Sequence, residues 1–184
     1  YDGLRIQAHK IDGKITLFTR NFEDVTKQFP DLVDAVKNHV KSDSIILDGE
    51  AVGFDKTTTQ YLPFQMISQR IKRKYNIEEL ADKFPVEYNV FDVLYYKGKN
   101  VLCEKFMERR GIISKVIDAT DRVIVPSMII VTDKKDEASK FYQEALDVGN
   151  EGIMAKNLEA IYKPGSRVGF GVKIKPVMES LDLV

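Results

Sequence analysis

Tryptophan is absent from this 184-residue chain, cysteine occurs once and histidine twice. The single thiol, Cys103, excludes an internal disulfide framework, and one cysteine with two histidines provides no zinc-ligand spacing, which fits a reducing interior. No apolar run approaches the roughly 20 residues that span a bilayer, and no charged region followed by an apolar one opens the chain. A soluble cytoplasmic protein is expected. Net charge is lacking as well: 28 basic and 28 acidic side chains cancel, so there is no bulk positive field, and any nucleic-acid contact must rely on local patches or on other domains. Repeats, low-complexity tracts and linkers are missing too. What is present is 43% apolar content, enough for the core of one domain, and a 30% charged fraction rich in lysine and glutamate that is compatible with a thermophilic source.

Local patterns predict alternating strands and helices. Leu4 to Ala8 alternates apolar and polar, Asp12-Gly13 is a two-residue hairpin signal, and Ile15 to Arg20 resumes an extended pattern. Such a hairpin brings Arg5 and Arg20 together at the end away from its tip. From Phe29-Pro30, Leu32, Val33, Val36 and Val40 recur at helical spacing. Ser44 to Phe54 reads as a buried strand with Asp48 and Glu50 on one face, where a metal or ribose could sit; Asp48 could equally cap a turn at Gly49. The run Arg70-Ile-Lys-Arg-Lys74 reads first as a solvated helix face and second as a contact to a DNA backbone. Val86 to Tyr96 is a strand in which strict alternation puts Phe91 and Val93 on one face and Val90, Asp92 and Leu94 on the other.

Two packing helices follow, one over Glu104–Ile117 and one capped by Thr132, carrying Ala138, Phe141, Tyr142, Ala145 and Leu146 and stopping at Gly149. Between them Arg122 to Val131 is extended, with Pro126 disrupting the ladder. The three glycines of Gly165–Gly171 lack the strand, spacing and acidic partner of a dinucleotide fingerprint. The fold class expected is α+β: twisted, mostly antiparallel sheets flanked by helices, with a cleft between sheets.

The densest chemistry lies near the C-terminus, in Glu151-Gly-Ile-Met-Ala-Lys156, Tyr162-Lys-Pro-Gly-Ser-Arg167 and Gly171-Val-Lys173-Ile-Lys175-Pro. On a strand, Lys173 and Lys175 leave the backbone on one side with Ile174 turned into the core, so two ammonium groups meet one anion. One carboxylate among several cations suits a polyphosphate and its metal.

Read with Tyr1-Asp2-Gly3-Leu4-Arg5, Leu17-Phe-Thr-Arg20-Asn21, Leu47-Asp48-Gly49-Glu50-Ala-Val-Gly-Phe54 and Val90-Phe91-Asp92-Val-Leu-Tyr95, these segments resemble in order the motif series of the covalent nucleotidyltransferases, an ATP-grasp-like fold. Specifically, they resemble the adenylation domain of archaeal-type ATP-dependent DNA ligases. The resemblance spans nearly the whole chain. It implies a lysine nucleophile immediately before Tyr1, and residues 1–184 as an adenylation-domain fragment lacking the DNA-binding and OB domains of its parent. It also implies Arg5 and Arg20 near ribose and phosphates, Phe91 on adenine, Arg167 and Lys173 on phosphates, and Lys156 and Lys175 nearby. Glu50 and Glu151 are the candidate ligands for magnesium, and Glu50 could instead hold ribose hydroxyls. The implied cofactors are ATP and Mg2+, and the implied partner is nicked double-stranded DNA, with a sliding clamp on family grounds alone. A monomer in the nucleoid, serving DNA repair, replication and recombination, would follow. A departure from the family pattern is Phe170-Gly171-Val172 ahead of Lys173, where a tryptophan or another large residue is usual. An RNA ligase or capping guanylyltransferase domain, a nucleotide-binding module without catalysis and a structural lobe are the competing readings.

Overall fold

The computed structural model of the protein describes residues 1–71, 73, 75–165 and 169–176. Its frame is a six-stranded sheet of β1 (Leu4–Ile11), β2 (Lys14–Thr19), β3 (Ser44–Gly53), β4 (Val86–Tyr96), β5 (Lys99–Asn100) and β6 (Ile124–Pro126). The strand order is β2-β1-β3-β4-β5, and β6 pairs with β4 in parallel while the other pairings are antiparallel. The β1–β2 hairpin turns at Asp12 and Gly13, both with positive φ (50° and 77°), as the Asp-Gly signal requires. Only Ile124–Pro126 of the expected extended segment Arg122–Val131 is strand, and its proline is tolerated because β6 pairs with one neighbour only.

Alternation sends Ile6, Ala8, Ile15, Leu17, Ile45, Leu47 and Ala51 to one face, where they form a single core. Helix α1 (Pro30–His39) covers that face with Leu32, Ala35 and Val36, starting on a proline with Asp31 in its first turn. Its last carbonyls are met from inside: the Lys10 ammonium donates to Val36 O, Lys37 O and Val40 O at 3.4, 3.2 and 2.7 Å. Those groups lie at a helix end, where carbonyls have no intrahelical partner.

In β4 the alternation fails. Asp48 pairs with Asp92 but Gly49 pairs with Val90, and Leu47 pairs with Val93 while Ile46 pairs with Tyr95, so Phe91 and Leu94 are each an extra residue opposite β3. The first bulge shifts the phase of the strand by one. Val90 and Val93 both enter the core, whereas Asp92 turns to the opposite face beside Arg109. The expected grouping of Phe91 with Val93, and of Val90 with Asp92 and Leu94, is therefore overturned.

Three further expectations are corrected. Arg70, near the end of α2 (Phe64–Ile71), belongs to no solvated face: it is 1% exposed, and Nη2 and Nη1 reach the Asp31 carboxylate at 2.6 and 2.9 Å. It also donates to Gln28 O and Phe84 O and lies 4.3 Å over the Phe29 ring, joining α1, α2 and the end of α3 (Ile77–Lys83). Arg73 is exposed, and Lys72 and Lys74 lie outside the described residues. Helix α4 (Phe106–Val116) packs as expected through Phe106, Ile113 and Val116, yet it buries Arg109 and Arg110 too. By contrast, α5 (Lys135–Asp147) has no fully buried residue; its predicted stripe is only half-buried, and Thr132, three residues ahead of the first helical residue, accepts from Lys134 N and does not cap the helix. Lastly, β7 (Ile153–Lys156) and β8 (Gly171–Ile174) form a separate two-stranded sheet in which Ile174 is 43% exposed instead of core.

The Arg70 brace carries a stability prediction. Removing one partner of a buried ion pair costs several kcal/mol, whereas an exposed cation is worth little. Arg70→Met is expected to lower the urea-unfolding free energy by about 2 to 3 kcal/mol and Arg73→Ala by less than about 0.5 kcal/mol. Equal effects would remove Arg70 from the core.

Candidate functional site

The face of the sheet opposite the hydrophobic core is polar, and the same alternation builds it. Arg5 on β1, Asp48 and Glu50 on β3, and Glu87 and Asn89 on β4 project there, with Asp92 added by the bulge. Asp48 is fully buried and caps no turn at Gly49; it stands in the middle of β3 and binds Arg5 bidentately, Nε to Oδ1 at 3.0 Å and Nη2 to Oδ2 at 2.6 Å. Tyr162 completes the group. Its hydroxyl accepts from Arg5 Nη2 at 2.8 Å and donates to Asp48 Oδ2 at 3.0 Å, tying the segment before β8 to the centre of the sheet. The Arg5 side chain keeps 36% exposure against none for Asp48, so its charge is anchored on one side and open on the other. That arrangement suits bidentate or charge-assisted recognition of an anion.

Glu50 lies beside Arg5 in register, and burial pushes its carboxyl up to about 7 despite the opposing charge of Arg5. Glu151 is drawn down chiefly by its hydrogen bond from Lys175, at 2.6 Å, with Lys173 adding to the field. The start of the chain and β3 meet here, with Gly3 against Ala51 and Arg5 opposite Glu50. Arg20 is exposed one step beyond the Ile6–Thr19 pair, at the level of Arg5 on the neighbouring strand. Lys173 is exposed on β8 opposite Met154. Arg167 lies outside the described residues.

Phe91, the extra residue of the first bulge, is half-buried, and the Lys156 ammonium sits 5.2 Å over its ring and 4.6 Å over that of Phe106. Burial lowers the pKa of Lys156 while Asp92 and Asp48 partly restore it. Beneath, Arg109 forks onto Asp92 at 2.7 and 3.2 Å and donates to Ala160 O at 3.2 Å. Arg110 holds Val90 O at 3.1 Å and Ser127 O at 2.6 Å.

Several members of this site carried no role in the sequence reading: Tyr162 as the third partner of Asp48, and Arg109 as the partner of Asp92. A signal existed for the second, since a carboxylate inside a strand as apolar as Val86–Tyr96 must find a cation. No local pattern announces Tyr162, whose partner is 114 residues away.

For the implied magnesium, Glu50 fits as one of the few carboxylates such an ion takes when it also binds phosphates, whereas Glu151 is held by Lys175. Among the described residues there is no group of three or more metal-ligating side chains, so a dedicated protein cage is not built. Nor, among those residues, is any helix long and apolar enough to cross a membrane.

The chain matches the family described as ATP dependent DNA ligase domain over residues 1–175. It is 50% identical over 184 residues to a DNA ligase of Nanoarchaeum equitans, covering all of this chain and 32% of that protein. Among solved structures it is similar to mycobacterial DNA ligase D complexed with ATP and MES, with a TM-score of 0.68 and 27% identity over 95% of this chain and 52% of that one. The ligase domain from M. tuberculosis LigD gives a TM-score of 0.71 and 26% identity, with the same coverage. The chain thus spans about a third of the length of the curated relatives it matches.

Glu50 gives the site a pH signature. Its pKa is raised from 4.5 to about 7, so the stabilisation from keeping it neutral is complete below 4.5 and is lost as pH rises through about 7. Glu50→Gln stays neutral at every pH. It should match the wild type near pH 4 and exceed it by about 2 kcal/mol at pH 8, after allowance for partial solvation. Denaturant titrations at the two pH values test this, and a pH-independent difference would refute it.

Proposed function

The chain belongs to the ATP-dependent DNA ligase family, and we propose that within its parent protein it forms a lysyl-AMP intermediate for the sealing of nicked DNA. The observation that supports this most is the joining of Arg5 on β1, Asp48 on β3 and Tyr162 of the C-terminal segment at one place on the polar face, close in the chain to Tyr1 and in register with Glu50. In the proposed step the lysine nitrogen bonds to the α-phosphorus of ATP, and the bond from that phosphorus to the bridging oxygen breaks. Pyrophosphate leaves with the electron pair and the amine proton passes to solvent. Fixed cations stabilise the charge that builds on the phosphoryl oxygens, and positive neighbours also keep the attacking amine neutral.

Arg5, held open by Asp48 and Tyr162, and Arg20 beside it would meet ribose and phosphates. Phe91 would carry the adenine, with Lys156 above its ring. Lys173, Lys175 and Arg167 would face the polyphosphate, for which Lys175 has to leave Glu151. Magnesium, held by Glu50 and Glu151, would supply charge neutralisation at the phosphates. The AMP then passes to the 5′-phosphate of a nick, and attack by the 3′-hydroxyl releases it. Those later steps need the rest of the parent, where DNA contacts and any sliding-clamp contact reside. On this reading the parent acts in DNA repair, replication and recombination and is nucleoid-associated, and residues 1–184 are its adenylation domain.

The full-length parent incubated with magnesium and ATP labelled at the α-phosphate should become covalently labelled at the lysine before Tyr1. Folded protein that takes no label, or takes it from GTP in place of ATP, would overturn the proposal. Lys173→Ala should weaken ATP binding about tenfold, the scale of a charge-assisted contact. Unchanged affinity would move the phosphate contact elsewhere.

A further inference from the structure

A second buried carboxylate, Glu87, lies outside the nucleotide contacts proposed above. It is 3% exposed, yet it accepts from three donors: the Tyr61 hydroxyl, Asn89 Nδ2 at 3.1 Å and Arg122 N at 2.6 Å. The Arg122 guanidinium lies 4.8 Å over the Tyr61 ring, and its Nη1 is 4.0 Å from Glu87 Oε2. So much polar machinery around one phenol exceeds what packing needs, because a phenylalanine over an apolar residue would fill the same space without burying charge. What it achieves is a fixed place for the Tyr61 ring.

That ring touches the start of the chain. Tyr1 packs edge-on against Tyr61 with centroids 5.9 Å apart, and burial, with Glu87 next in weight, pushes the Tyr1 phenol up to about 12. The next two residues are pinned from the same direction. Asp2 accepts from Phe64 N, at the first turn of α2, at 3.1 Å, and Gly3 lies so close to Ala51 that a Cβ would strike its carbonyl oxygen. The loop holding Tyr61 is itself tied to the sheet by Leu62 N to Gly53 O at 2.8 Å and by the Phe54–Tyr61 bridge. Three successive residues are thus clamped from residues 61–64 and β3.

We propose that Tyr61, locked by Glu87, is a positioning residue for the nucleophilic lysine: through Tyr1 it sets the backbone from which the amine is presented to the α-phosphorus. This rests on the reading of the previous subsection. It touches neither ATP nor the reacting atoms, so it acts on the rate of attack and not on nucleotide affinity. Misplacing a nucleophile by about 1 Å can cost on the order of a hundredfold in rate.

The test uses the full-length parent carrying its lysine. In single-turnover formation of lysyl-AMP at saturating ATP, Tyr61→Ala should slow the step at least tenfold with the Kd for ATP changed less than twofold. Tyr61→Phe, which keeps the ring and loses the anchor, should fall between. Sealing of a nick whose 5′ end is already adenylylated requires no attack by lysine and should proceed at the wild-type rate in both variants. Unchanged lysyl-AMP formation, or an equal loss in the sealing of adenylylated DNA and in ATP affinity, would show a merely structural role and overturn the proposal. If Tyr61→Ala does not fold, Glu87→Gln takes its place: it sets an amide N–H against one of the three donors, and the same split of rates is required of it. Absence of label in the wild type would sink the adenylation reading itself, whereas a labelled wild type with variants of equal rate sinks only the role of Tyr61.

Discussion

A fully buried negative charge, that of Asp48 in the middle of β3, is the constraint on which fold and site both depend. An unpaired carboxylate there would cost several kcal/mol, and Arg5 and Tyr162 relieve that cost together. Arg5 comes from the neighbouring strand in register, whereas Tyr162 comes from the segment between β7 and β8. Folding of the sheet thereby recruits the C-terminal segment to its polar face. Among the described residues α5 buries none fully and the strands of the ribbon are half-buried or exposed, so polar contacts, including Tyr162 N to Leu102 O, Met107 N to Leu158 O and Arg109 to Ala160 O, carry much of the attachment.

The remaining charges of the polar face follow the same logic of paired burial. Asp92 is answered by Arg109, Glu87 by Tyr61, Asn89 and the Arg122 backbone, and Lys156 by the rings of Phe91 and Phe106. A polar face whose buried carboxylates are already paired keeps its shape without a ligand, which is the condition for electrostatic preorganisation. Groups at the rim differ. Arg20 and Lys173 are exposed, and Lys175 rests on an exposed carboxylate, an arrangement that costs little to rearrange.

Much of this was legible in the sequence where a local rule applied. Asp12-Gly13 marked the hairpin because a two-residue turn demands positive φ, and the alternation of Ile45, Leu47 and Ala51 marked the core face of β3. The motif order pointed to the α+β class and to the family. Illegible features had causes at a distance. Arg70 sits in a basic run yet is buried, because Asp31 and two carbonyls from other elements surround it. The face of Asp92 was misread because period two assumes a regular ladder, and nothing in Val90-Phe91-Asp92-Val93 announces an extra residue. Ile174 was placed in a core that the two-stranded ribbon does not have.

The bulge at Phe91 admits one residue that the ladder with β3 does not count. With Phe91 kept and the ladder made even, Asp92 would follow Val90 inward and could no longer aim its carboxylate at Arg109. Deleting Phe91 would leave Val90, Asp92 and Val93 on their present faces but would remove the ring beneath the Lys156 ammonium. The irregularity holds one side chain outside the pairing without turning its neighbours over.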